Sequence, residues 1–231
     1  TGTINVLEAV RKYKIEKLIY TASSSCYGIP KKYPTNEQEK INPKFPYAVT
    51  KYLGEQLIVY WSKIYKIDFV SLRLFNVYGP RSRTSGTYGA MFGVFLAQKL
   101  SGKPFTLVGN GEQSRDFTYV SDVVRALIAA ARSKKKRKIY NVGSNKSIKI
   151  KTIIKYLKGS YIKLPKRPGE PEITFENIKK IKKELNWEPK VDIKKGINIL
   201  LKNINYWNKA PVWTKESIEK ATKNWFKYLS K

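Results

Sequence analysis

Two strand-length apolar segments on either side of one long helical pattern constrain this chain more than anything else in it. Phe69-Val70-Ser71-Leu72-Arg73-Leu74-Phe75 is a near-continuous apolar run, the kind of strand that a parallel sheet buries on both faces. Leu18-Ile19-Tyr20-Thr21-Ala22 reads as an earlier strand. Between them Pro46, which suits the first turn of a helix where a missing N–H costs nothing, opens a helical pattern that runs to about Tyr65. Strand, helix, strand is a βαβ unit, so the spacing predicts an α/β fold around a parallel sheet.

Ile4, Leu7, Ala9 and Val10 fall at helical spacing ahead of the first strand. The chain starts at Thr1 without an initiator Met and this helix reads as already under way, so a fragment of a longer protein is expected. After Asn76-Val77-Tyr78-Gly79-Pro80-Arg81 the pattern turns irregular. A glycine-punctuated loop leads to a helix around Val94 to Leu100, a short strand Phe105 to Val108 and the turn Gly109-Asn110-Gly111. Arg115 to Tyr119 reads as extended, Ser121 as the cap of a helix to about Ala131, and Ile139 to Val142 as a strand. Helices are expected at Ile150 to Leu157, Asn177 to Leu185, Ile193 to Trp207 behind Asp192, and behind Thr214. The expected organisation is a partial nucleotide-binding domain over 1–80 and a substrate lobe over 81–231, with about 115–145 returning to the core.

The 231 residues are 42% hydrophobic, enough for a globular core. No apolar run approaches the ~20 residues of a membrane span and no leader-like start is seen, so a cytoplasmic protein without membrane attachment is expected. Cys26 is the sole cysteine and there is no histidine, which argues against a disulfide framework and a zinc site; no metal is expected. The formal charge of +29 would ordinarily suggest nucleic acid, but Lys dominates it and is scattered, and no basic-aromatic module of a known kind appears. The basicity instead favours small anionic ligands, and nucleic acid is not an expected partner.

Tyr47 and Lys51 stand four residues apart on the predicted helix, and i and i+4 share a face. A phenol titrates near 10 and becomes a useful base near neutrality only beside a cation such as the Lys51 ammonium. Ser23, at the end of the preceding strand in Ser23-Ser24-Ser25, offers a hydroxyl that could complete a proton path to a substrate alcohol. Taken alone the pair is a common coincidence and Ser23 an ordinary turn serine; together and in this order they suggest redox chemistry on a hydroxyl.

Ser23-Ser24-Ser25-Cys26-Tyr27-Gly28, Tyr47-x-x-x-Lys51, Leu74 to Arg81, Gly109-Asn110-Gly111 with Arg115-Asp116-Phe117, and Arg167-Pro168-Gly169-Glu170 together resemble the extended short-chain dehydrogenase/reductase family. Within it the chain is similar to the NAD-dependent nucleotide-sugar epimerases and dehydratases, over essentially its whole length. The resemblance implies the C-terminal part of a doubly wound, Rossmann-like parallel sheet with a smaller mixed α+β substrate lobe, the Gly-rich cofactor loop lying upstream. A chain lacking that loop is expected to be inactive by itself.

The resemblance also assigns roles. Tyr47 takes the proton of the sugar 4-hydroxyl while hydride leaves C4 for NAD; Ser23 hydrogen-bonds the same oxygen, and Lys51 also holds the nicotinamide ribose. Phe75 walls the nicotinamide pocket. Ser24, Asn76, Arg115, Arg167 and Glu170 bind the substrate, the arginines suiting the diphosphate and Glu170 the ribose hydroxyls. Dehydratases of the family carry Asp-Glu where this chain has Ser24 and Ser25, so C4 epimerisation of a UDP-sugar, UDP-glucose/UDP-galactose first, is the leading expectation. The alternatives are a 4,6-dehydratase, decarboxylase or 4-keto reductase, or a non-catalytic NAD-binding scaffold. Thr174 falls near a position where bulk excludes N-acetylated sugars in some relatives, and its small side chain would admit them. A homodimer built from the Thr3 and Tyr47 helices is expected, and the aromatic C-terminal stretch around Trp207, Trp213 and Trp225 has no assigned role.

Overall fold

The computed structural model describes residues 1–82, 84 and 91–229. In chain order the elements are α1 (Gly2–Lys12), β1 (Lys17–Ser23), α2 (Pro46–Tyr65), β2 (Asp68–Leu74), β3 (Val77–Tyr78), α3 (Met91–Leu100), β4 (Phe105–Val108), β5 (Ser114–Asp116) and β6 (Thr118–Tyr119). They continue as α4 (Val120–Arg132), β7 (Lys138–Val142), β8 (Ser147–Lys149), α5 (Ile150–Leu157), β9 (Tyr161–Leu164), α6 (Lys179–Leu185), α7 (Ile193–Lys202) and α8 (Lys215–Leu229).

The central sheet is parallel, in the order β1-β2-β7. Its register sets Ser23 beside Leu74 and Leu74 beside Val142, so the carboxyl ends of all three strands finish at one level. That is the edge at which open α/β sheets bind ligands. Side chains of β2 alternate between the two faces as a strand requires. Phe69 packs with Leu7 of α1 and Ile58 of α2, while Val70 and Leu72 meet Val123 and Ala126 of α4 and Ile181 of α6. Helices on both faces make this a doubly wound α/β fold.

A second core gathers Phe92, Phe95 and Leu96 of α3, Phe105 and Leu107 of β4, Ile153 and Leu157 of α5, and Ile197 and Leu200 of α7. Small two-stranded sheets edge it: β4 with β9, β3 with β6, and β5 antiparallel to β8. The short strands β3, β8 and β9 escape the sequence reading, because two to four residues carry too little periodicity.

Three local expectations need correction. Ser121 does not cap α4: the cap position is Tyr119 with no side-chain bond, and the first-turn acid Asp122 instead accepts from the Lys190 and Val191 amides at 3.0 Å each. The helix expected from Asn177 begins at Lys179, since the Asn177 amide donates to the Thr35 carbonyl and its side-chain oxygen accepts from the Lys179 amide at 2.9 Å. Asp192 does cap α7, accepting from the Lys195 amide at 2.9 Å. That helix stops at Lys202, however, and a separate 3-10 turn Ile204–Trp207 follows, the Asn203 side-chain amide donating back to the Ile199 carbonyl. Most of the glycine-punctuated loop after Arg81 lies outside the described residues.

Candidate active site

At the carboxyl ends of β1 and β2 lies a cavity of about 620 Å³. Ser23, Ser24, Tyr47, Lys51, Phe75, Asn76, Arg115, Arg167 and Glu170 all line it. The structure thus brings together every site residue expected from the sequence, from segments up to 147 positions apart in the case of Ser23 and Glu170.

Ser23 closes β1 and caps the short 3-10 turn Ser24–Tyr27, its Oγ accepting from the Ser25 amide at 3.2 Å and lying 2.8 Å from Ser25 Oγ. The capping bond holds the hydroxyl at the cavity wall. Tyr47, on the first turn of α2, is 43% exposed and therefore reachable by a substrate. One turn on, Lys51 donates to the Thr21 carbonyl at 2.5 Å and its Nζ lies 5.0 Å from the centre of the Tyr20 ring. Burial pulls the Lys51 ammonium below its ordinary pKa. An ammonium has three donors, and the bond to Thr21 uses one of them.

The placement of α2 depends on groups that the sequence reading missed. Glu55, two turns beyond Tyr47, is buried and accepts from Arg73 at 2.6 Å and from Ser71 Oγ at 2.7 Å, both on the α2 face of β2. Arg73 also donates to the Tyr27 hydroxyl at 2.9 Å, which itself donates to Asn141 Oδ1 of β7 at 2.7 Å. One polar network therefore joins α2, β2, β7 and the serine turn beneath the site. The visible signal is the charge of Arg73 and the hydroxyl of Ser71 interrupting an apolar strand on alternate positions. Gly54 lets α2 close onto β1, since a Cβ there would stand 2.3 Å from the Tyr20 hydroxyl. That hydroxyl donates to the Lys51 carbonyl at 3.2 Å, fixing the turn that carries Lys51.

The other end of the cavity is cationic. Arg115 is mostly buried and donates to the Ser114 carbonyl at 2.9 Å and the Glu172 carbonyl at 3.2 Å; its guanidinium lies 3.8 Å from Glu170. Burial lowers its pKa, with Glu170 opposing, yet a guanidinium stays charged. Arg167 reaches the same Glu170 carboxylate at 3.2 Å. Two guanidiniums around one carboxylate leave net positive charge, which suits an anionic ligand. Asn76 behaves differently: its amide donates to the Asp116 carbonyl at 2.9 Å and to Thr174 Oγ1 at 2.8 Å. It ties strands together at the cavity wall. A second, more apolar cavity of about 380 Å³ adjoins the first and shares Asn76, Arg115, Arg167 and Glu170 with it, so the arginines stand between the two chambers.

Among the described residues no group of three His, Cys, Asp or Glu side chains is placed to hold a metal ion, and no helix is long and apolar enough to cross a membrane.

Residues 1–143 match the model of the family described as NAD dependent epimerase/dehydratase. A UDP-glucuronate 4-epimerase of Thermodesulfobacterium geofontis is 34% identical over 95% of this chain and 65% of its own length. Among solved structures, UDP-glucuronic acid 4-epimerase from Bacillus cereus in complex with UDP-glucuronic acid and NAD superposes with a TM-score of 0.81 at 34% identity, covering 90% of this chain and 67% of that one. UDP-glucose 4-epimerase from Thermotoga maritima with UDP-glucose gives 0.80 at 30% identity, over 90% and 68%. The chain spans 61–65% of the length of the curated relatives that it matches at 34–36% identity.

Proposed function

Because the chain belongs to the NAD dependent epimerase/dehydratase family, we propose that the protein is a UDP-sugar 4-epimerase that uses NAD, with UDP-glucose and UDP-galactose as its first substrates. The observation that carries this reading is the convergence of Ser23, Tyr47 and Lys51 with Arg115, Arg167 and Glu170 on one cavity. The related solved structures named above bind UDP-sugars, one of them together with NAD.

The residues present fit the nicotinamide half of NAD. Phe75, Leu74 and Ala22 give the cavity an apolar wall at the strand ends, and the Lys51 ammonium stands beside it for ribose hydroxyls. When bound, NAD supplies a reversible acceptor for the hydride of the sugar's C4. Tyr47 accepts the proton of the 4-hydroxyl and later returns it. Ser23, its Oγ held by the capping bond, hydrogen-bonds that oxygen, and the Lys51 ammonium stabilises the phenolate form in which Tyr47 accepts the proton. Arg115 and Arg167 hold the diphosphate, which directs the sugar toward Tyr47 and the nucleoside into the 380 Å³ chamber. Anchoring the nucleotide this firmly lets the keto sugar turn over without leaving. Ser24 lines the sugar end, and Ser25 is engaged with Ser23, so neither supplies the carboxylate that elimination of water at C5 and C6 needs.

The exposed apolar stripe Val49, Leu53, Tyr60 and Ile64 on α2, beside Val6 of α1, supports a homodimer through these helices.

The test is turnover of UDP-glucose by the full-length protein, followed by NMR of the product, with Tyr47→Phe as the variant. A 4-epimer should form, and Tyr47→Phe should cut kcat by about 10²–10⁴-fold while UDP affinity stays nearly constant. Wild-type activity in the variant refutes the assignment of Tyr47. A product that has lost water or carbon dioxide refutes epimerisation.

A further inference from the structure

The C-terminal helix lies over the cleft, and the cleft's composition does not require it. Along α8, Ile218, Ala221 and Thr222 line the 380 Å³ chamber and Trp225 lines the larger one. Positions 218, 221, 222 and 225 follow the i, i+3, i+4, i+7 spacing of a single helix face. That face is turned inward along the whole passage between the chambers, whereas most of the rest of α8 is polar and exposed.

Trp225 fastens the helix at the larger chamber. Its indole N–H donates to the Pro168 carbonyl at 2.9 Å, next to Arg167, and its ring lies 5.6 Å from that of Phe45, which immediately precedes α2 and Tyr47. The near end is held separately, with Trp213 donating to the Thr84 carbonyl at 2.6 Å and its own carbonyl accepting from Gln98 of α3 at 2.8 Å. Little of α8 is buried in either core; Thr222 alone on it is fully enclosed. The helix is tethered at one end, clasped at the other and otherwise free of the packed interior.

We propose that α8 is a strap that roofs the nucleotide cleft, and that the Trp225 clasp on the Pro168 carbonyl and Phe45 retards release of a bound nucleotide. A ligand whose diphosphate lies on Arg115 and Arg167 is covered by this face, so it cannot leave that way without parting Trp225 from Pro168. Trp225 is a positioning residue: it holds the roof, and through Pro168 it holds the loop that carries Arg167 and Glu170. This rests on the cleft being the nucleotide site, as proposed above.

The experiment is stopped-flow release of UDP from the full-length protein, with thermal unfolding recorded in parallel. Loss of one aromatic contact and one hydrogen bond predicts that Trp225→Ala speeds UDP release about tenfold. Trp225→Phe, which keeps the ring and loses only the bond to Pro168, should fall between wild type and Trp225→Ala. The melting temperature should hardly move, since the side chain lies outside both cores. Unchanged release from Trp225→Ala overturns the strap while leaving the epimerase reading intact. Failure of the wild type to bind UDP overturns both. Should Trp225→Ala not fold, Ala221→Leu, which fills the chamber from the same face, must weaken UDP binding; unaltered affinity there counts against the roof equally.

Discussion

The carboxyl groups of Asp116 and Glu176 are buried against each other behind the Asn76 and Thr174 wall of the cavity, and neither is exposed at all. Asp116 receives three donors: the amides of Ser144 at 2.7 Å and Lys146 at 2.9 Å, and the Ser144 hydroxyl. Glu176 receives one, from the Asn145 amide at 2.9 Å, and its second oxygen meets no donor. With one oxygen lacking a donor, beside a carboxylate that has three, Glu176 is the member of the pair on which ionisation is disfavoured. Burial, reinforced by the Asp116 charge, pushes the Glu176 carboxyl well above the usual carboxylate range. The pair ties β5 to the 144–146 turn and to the strand-like segment that carries Thr174, and Asn76 hangs from the same Asp116 backbone.

A folded-state pKa raised in this way makes the stabilising contribution of Glu176 complete below its unfolded pKa. Above that point the unfolded chain releases the proton and the folded one keeps it, so stability falls by about 1.4 kcal/mol per pH unit until the folded pKa is passed. Glu176→Gln keeps a donor toward Asp116 and cannot ionise. Urea denaturation across pH 5 to 8 should therefore show a flatter profile for the variant than for wild type, with the variant gaining relative stability as pH rises. Parallel profiles would mean that Glu176 ionises normally.

The Glu55–Arg73 pair is a buried ion pair. Both side chains are at most 5% exposed at an N–O distance of 2.6 Å. Arg73→Met strands the Glu55 carboxylate and should cost about 3–5 kcal/mol, read as a shift of the urea midpoint. Arg73→Met combined with Glu55→Gln should recover much of that loss. If the single and the double variant are equally destabilised, Arg73 acts through packing on Tyr27 rather than through the charge of Glu55.

What the sequence discloses and what it hides follow from the range of the interactions involved. The βαβ unit and the Tyr47–Lys51 face are local, set by periodicity inside one helix and one strand, and both stand where periodicity puts them. Ser23, Arg115, Arg167 and Glu170 were recognisable through ordered motifs, although their meeting at one cavity is a product of chain topology. The Glu55–Arg73–Tyr27–Asn141 network and the Asp116–Glu176 pair could not be read, because each joins residues from remote segments whose types are unremarkable singly. The same holds for α8. Its inward face is legible as a helical stripe, but nothing in the stripe says that it covers a cleft instead of a core.

Cys26 supplies a prediction about the floor of the site. It packs with Tyr27 and Phe75, and burial pushes its thiol up to about 12. The thiolate is the reactive form, so alkylation by iodoacetamide at pH 8 should run about a thousandfold slower in the folded protein than for a free thiol. Mass spectrometry of the native protein over time would measure it. Rapid labelling without unfolding would show that the floor opens on its own.

Thr174, and not its neighbour Phe175, lines the cavity. Its hydroxyl is engaged, accepting from the Asn76 amide at 2.8 Å and from the Asp116 amide at 3.1 Å, so the side chain is held back against the wall and leaves room in front of it. On the reading proposed above, an N-acetyl group on the sugar would meet a small, anchored residue there. We expect UDP-GlcNAc to be epimerised with kcat/KM within about tenfold of UDP-glucose, since a pocket that merely accommodates added bulk discriminates weakly. Thr174→Tyr puts an aromatic ring into that space and also removes an acceptor from Asn76. It should therefore lower activity on both sugars but on UDP-GlcNAc disproportionately, and the ratio of the two kcat/KM values isolates the steric effect. A wild-type enzyme active on UDP-glucose and inert toward UDP-GlcNAc would show that the space beside Thr174 is not where C2 of the sugar lies.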